Sequence, residues 1–131
     1  MDTRWPEDAM AHYLIYFNRE WVGERSEAWI RERAPLAQAA VDEMRAAGVC
    51  VYAAGLDDAG TFSVSPADDG TVAFGDGRHA PHAQWLGGFT VIDVEDLAAA
   101  RRWAARLARA CGWPQEVCRL VPELEDAGPG A

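Results

Sequence analysis

The chain has 131 residues, 50% hydrophobic and 25% charged, the profile of one compact domain and not of a disordered tail or a membrane protein. A chain of this size buries roughly two-thirds of the surface its unfolded form exposes, so it needs neither a disulfide nor a structural metal to hold a core. The balance of 12 basic to 21 acidic residues gives a net charge of −9, which repels phosphate backbones and anionic lipids and argues against nucleic acid or a membrane as partner.

Residues 1–10 are polar and read as an N-terminal extension; the domain proper runs over 11–121. Ala11 to Phe17 (AHYLIYF) reads as a strand apolar on both faces. Ser26 with Glu27 and Trp29 marks a helix entry, and Ala47-Gly48 its exit. Pro35 predicts a break within that stretch, or a new helix with Pro35 in its first turn. Val49 to Ala54 (VCVYAA) reads as a second strand. Thr61 to Ser65 and Thr71 to Phe74 are two short strands, with Asp69-Gly70 suited to the hairpin turn between them. Gly75 to Gly88 reads as a long loop rich in Gly, Pro and His. Phe89 to Val94 is a further strand, and Glu95-Asp96 opens a helix whose buried stripe is Leu97, Ala100, Ala104, Leu107, Ala108 and Cys111. Gly112 and Pro114 end it, Glu116 to Val121 is a last strand, and 122–131 is an acidic flexible tail.

This order is the split βαβ pattern of an α+β, ferredoxin-like fold with an inserted hairpin. Helices on one face of the sheet leave the other, read as carrying Tyr13, Ile15, Tyr52 and Phe89, in need of cover; a second subunit is the simplest, so a homodimer is expected. Every basic residue is Arg, and the absence of Lys excludes Schiff-base, pyridoxal phosphate and Walker-lysine chemistry. Three scattered cysteines without a CxxC spacing point to a reducing compartment, and Met1 to Met10 has no signal-peptide pattern, so the expected location is cytoplasmic.

Asp76-Gly77 followed by Leu86-Gly87-Gly88-Phe89 and Val91-Ile92-Asp93-Val94-Glu95-Asp96-Leu97 with Ala104-Ala105 resembles the YCII-related proteins, specifically their DGPF subgroup. His12-Tyr13-Leu14-Ile15-Tyr16 resembles that family's first strand, and Ala46-Ala47-Gly48-Val49 with Gly55-Leu56 its helix exit and second strand. The resemblance spans roughly 11–121. It implies a dimeric α+β barrel with a cavity between sheet and helices in each subunit. Roles assigned within the family include cofactor-free chemistry on small cyclic molecules, such as dehydrochlorination of a hydroquinone, and accompaniment of sigma factors. This chain departs from the subgroup in carrying Arg78-His79 in place of Pro-Phe, Pro81-His82-Ala83 in place of Glu-Thr-Lys, and Ala54 in place of a glutamate.

The loop thus gathers Asp76, Arg78, His79 and His82: a carboxylate, a fixed cation and two groups that titrate near neutral pH. That set suits proton transfer, with His79 or His82 as base, Asp76 orienting it and Arg78 holding an enolate or carboxylate. In the plainer reading Asp76-Gly77 only makes a turn and the histidines are solvated. Asp76, His79 and His82 also form a possible divalent-metal set, but it lacks further ligands, and the expectation is no metal and no cofactor. Trp85 is read as a pocket wall for a flat substrate. His12 and Tyr13 of the first strand are candidate substrate contacts, His12 being alternatively at the strand's wet end. The expected function is a small cofactor-free enzyme performing elimination, isomerisation or cyclisation on a ring-containing metabolite; the competing class is a non-catalytic ligand-binding or regulatory accessory protein of the same fold.

Overall fold

The computed structural model describes residues 11–80 and 84–121; the expected N-terminal extension, the acidic tail and His82 lie outside these. The elements are β1 (Ala11–Asn18), a 3-10 turn (Arg19–Trp21), α1 (Glu27–Ala46), β2 (Cys50–Gly55), a second 3-10 turn (Asp58–Gly60), β3 (Phe62–Pro66), β4 (Val72–Asp76), β5 (Leu86–Val94), α2 (Leu97–Cys111) and β6 (Glu116–Arg119). Strands β2-β5-β1-β6 form one antiparallel sheet, while β3 and β4 pair only with each other. Both helices pack on one face of the large sheet and against one another. This is the α+β, ferredoxin-like arrangement expected from the element order, hairpin included.

Side chains alternate across a strand, and directly opposed residues share a face. Tyr13 stands opposite Ile92 and Ile15 opposite Thr90, and all four are buried beneath the helices. Tyr13, Ile15 and Ile92 meet Ala40 and Met44 of α1 and Ala100 and Leu107 of α2 in the core. The assignment of Tyr13 and Ile15 to the uncovered face is therefore corrected: their phase puts them inward. The uncovered face carries His12, Leu14 and Tyr16 of β1, Phe89, Val91 and Asp93 of β5, and Tyr52 of β2. Tyr52, whose ring lies 6.1 Å from that of Phe89, is 61% exposed.

Both helices begin where a short polar side chain can satisfy an orphan N–H. The Ser26 hydroxyl accepts from Trp29 N at 3.1 Å and the Asp96 carboxylate from Ala99 N at 2.8 Å. α1 runs unbroken through Pro35, contrary to the break expected there. Pro35 is on the exposed side of the helix, where the carbonyl of Arg31, deprived of its N–H partner, faces water instead of a dry core. In α2 the buried residues are Ala99, Ala100, Leu107, Ala110 and Cys111. Leu97, expected in that stripe, is 54% exposed because the helix begins at the rim of the sheet.

The long loop expected over 75–88 is shorter at both ends, since β4 extends to Asp76 and β5 starts at Leu86. Gly87 and Gly88 act as strand residues here because the Phe17 ring lies across them. A Cβ on Gly87 would meet Phe17 Cε2 at 2.6 Å, and one on Gly88 would meet Cε1 at 2.9 Å. In the hairpin, the Asp69 carboxylate accepts from Thr71 N at 2.9 Å and from its hydroxyl at 2.6 Å, and Gly70 takes the positive φ of the expected turn.

Candidate functional site

Between the sheet and the two helices lies a cavity of about 230 Å³. Its walls are mainly apolar: Ile15 and Phe17 from β1, Val41 from α1 and Leu107 from α2. Small residues make the room, with Ala34 and Ala37 on α1 facing Ala53, Ala54 and Gly55 on β2. Among the described residues, the polar lining consists of Gln38 and Arg45 of α1, Thr90 of β5, Cys111 of α2 and Gln115 just before β6. Burial pushes the Cys111 thiol up to about 11, so it stays protonated at neutral pH and is a poor nucleophile. The side-chain nitrogen of Gln115 has neither exposed surface nor a hydrogen-bond partner among the described residues, and the same holds for Trp113 Nε1. Trp113 is wedged between the rings of Phe17 and Trp29, at 5.0 and 6.1 Å.

The histidine loop forms a separate cluster at the end of β5. Trp85 is pinned there: its N–H donates to the Glu20 carboxylate at 2.9 Å, and its carbonyl accepts from Arg19 N at 2.7 Å. Next to it the buried Asn18 amide donates to Gln84 Oε1 at 2.9 Å. The Arg78 guanidinium lies 3.3 Å from the centre of the Trp85 ring, a cation–π stack with both groups partly buried. His79 is exposed, and its Nδ1 is 3.4 Å from the Ser65 hydroxyl of the hairpin. Asp76 stands opposite Phe62, on the hairpin face away from Ser65. Arg78 and Trp85 are thus brought together, whereas Asp76 and His79 sit on different sides of the hairpin. None of these four lines the cavity, although its wall residues Gly55 and Gly88 belong to the same end of the sheet as Trp85.

His12 is on the uncovered face of the sheet, half exposed, with Nε2 3.7 Å from the Asp93 carboxylate across the strand pair. Tyr13 is buried on the helix face and borders a groove beside the start of α2, with Leu97, Val117 and Arg119. The two neighbours in sequence therefore serve opposite faces, and neither borders the cavity. Tyr16, also on the uncovered face, donates its phenol proton to the Glu116 carboxylate at 2.5 Å. That bond, together with a contact to Cys118, holds the phenol well above its ordinary range.

The profile of the YCII-related domain matches residues 27–111. The chain belongs to the YCII-related family. The match covers α1, β2, the hairpin, β5 and α2, so the helix wall of the cavity falls within the matched region, whereas Ile15 and Phe17 of β1 and Gln115 lie outside it. No curated protein matches the chain. Among the described residues, no three His, Cys, Asp or Glu side chains gather as a metal site would require, and no helix is long and apolar enough to cross a membrane.

The residue types in the sequence single out the histidine loop and do not single out Arg45, Thr90 and Gln115, which line the cavity. One of these carried a usable signal. Thr90 interrupts the apolar set Gly88, Ile92 and Val94 on the buried face of β5, and a polar residue at an inward phase marks a place where the core gives way to something else.

Proposed function

We propose that the protein binds a compact ring-containing metabolite in the cavity beneath α1 and α2. The observation that carries this reading is a small, mostly apolar chamber with few polar groups, built between the helices and the sheet. Its size sets the ligand. A dry apolar cavity of about 150 Å³ holds one benzene ring, so a chamber of about 230 Å³ takes one ring with a small substituent and not a nucleotide. In this reading the protein acts as a small-molecule binding member of the family and needs no bound cofactor for that role. A homodimer, with the apolar uncovered face as the contact, belongs to the same proposal.

A second reading, metal-free acid–base turnover at the histidine loop, is favoured by one observation, the Arg78–Trp85 stack with His79 beside it. The pinned indole offers a flat platform, the guanidinium an anion contact and His79 a base; His82 completes the set in this reading. The two readings separate on one pair of variants. Ala37→Phe fills the chamber, and Trp85→Ala removes the platform. The cavity reading expects Ala37→Phe to abolish saturable binding of toluene, measured by calorimetry, while Trp85→Ala leaves it within about twofold. The opposite pattern sinks it in favour of the histidine loop.

A further inference from the structure

The cavity's polar groups say more about the ligand than size does. Gln38 is already committed, its side-chain nitrogen donating to the Asp42 carboxylate at 2.9 Å. Thr90 is 4% exposed on the floor. The Gln115 nitrogen is a desolvated donor with no partner among the described residues, an arrangement that folded proteins seldom leave uncompensated. Among the described residues, the charged side chain in the lining is Arg45, and no carboxylate lines the cavity. Arg45 lies two turns beyond Gln38 on α1, about 10 Å along the helix axis, so the cation and the Gln38 amide mark different levels of the chamber. Its side chain is half exposed, with the guanidinium 3.6 Å from the Asp42 carboxylate.

We infer that the cavity selects a ring bearing an oxygen acceptor, with Gln115 donating to that oxygen and Arg45 favouring an anionic substituent over a cationic one. The inference rests on the cavity reading above and deepens it from a shape to a chemical class: aromatic or cyclic carbonyl compounds and carboxylates. Hydrocarbons of the same size leave the Gln115 donor unsatisfied, and amines bring positive charge towards Arg45. A site built around a hydrogen bond rejects an analogue lacking that group far better than a greasy pocket rejects an extra methylene.

The test uses four probes of one ring each, namely toluene, benzaldehyde, benzoate and benzylamine, titrated calorimetrically into the full chain at neutral pH. The expected order is benzoate and benzaldehyde ahead of toluene, with benzylamine last. One hydrogen bond makes benzaldehyde about fivefold tighter than toluene. Gln115→Leu removes the advantage of benzaldehyde without weakening toluene, and Arg45→Met removes that of benzoate over benzaldehyde. Should Gln115→Leu fail to fold, Gln115→Glu serves in its place and reverses the preference toward benzylamine. Toluene binding as tightly as benzaldehyde, with Gln115 variants altering neither, overturns the selectivity while leaving the cavity reading standing. Absence of saturable binding for all four probes overturns both.

Discussion

Adding one methyl group at Gly87 probes how the end of the cavity is assembled. Gly87 does not use the left-handed region, and its Cβ would lie 2.6 Å from Phe17 Cε2, 3.0 Å from Cδ2 and 3.4 Å from Arg19 Cγ. The ring cannot simply swing aside, because Trp113 packs against it with centroids 5.0 Å apart. Overpacking of this kind costs about 1–3 kcal/mol. Against it stands the entropic gain of replacing glycine in the unfolded chain, about 0.4–1 kcal/mol. The net expectation for Gly87→Ala is a loss of about 1–2 kcal/mol, or a fall in Tm of roughly 4–8 °C for a domain of this size. Urea and thermal unfolding followed by circular dichroism measure it. Phe17→Leu in the same chain should relieve the clash, so the double variant is expected to lose less than the two single losses added together. A Gly87→Ala protein as stable as the parent would falsify the claim that Phe17 dictates these glycines.

Other outcomes follow from single contacts. Asp96→Ala removes the N-cap of α2 and should cost about 1 kcal/mol in chemical denaturation, with Asp96→Asn recovering most of it; equal loss in both variants would contradict the capping role. Tyr16 should ionise late in a spectrophotometric alkaline titration, because its protonated phenol donates to Glu116 and a phenolate there would face a carboxylate. Raising the folded-state pKa makes this contact stabilising below the unfolded-state value, with the benefit lost as pH rises through the folded one. Glu116→Gln should bring the Tyr16 midpoint down, and an unchanged midpoint would show that the hydrogen bond is not the cause.

Much of the architecture is legible in the sequence, for identifiable reasons. The helix starts follow from Ser26 and Asp96, whose short side chains reach back to orphan N–H groups. The hairpin turn follows from Asp69-Gly70, where one residue supplies the side-chain acceptor and the next the positive φ. Local chemistry of that kind needs no tertiary information. Pro35 is harder, because whether proline breaks a helix depends on which side faces water, and that is settled only by packing. Gly87-Gly88 reads as loop until Phe17, 70 residues away in sequence, is laid across it. The face assigned to Tyr13 and Ile15 failed for a related reason: in a strand apolar on both sides, alternation gives two equivalent phases, and only the helices choose between them. The candidate site was the least legible part. Histidines and arginines announce chemistry by residue type, whereas a cavity is made by what is small, and Ala34, Ala37 and Ala53 carry no such mark.

The measurement that bears most directly on the central claim is a set of intermolecular NOEs between toluene and the methyl groups of the full-length protein. The account predicts contacts to Ile15, Val41 and Leu107, the methyl-bearing walls of the chamber. NOEs confined to the Trp85 ring protons, or to Leu14 and Val91 on the uncovered face, would contradict it and place the ligand outside the cavity.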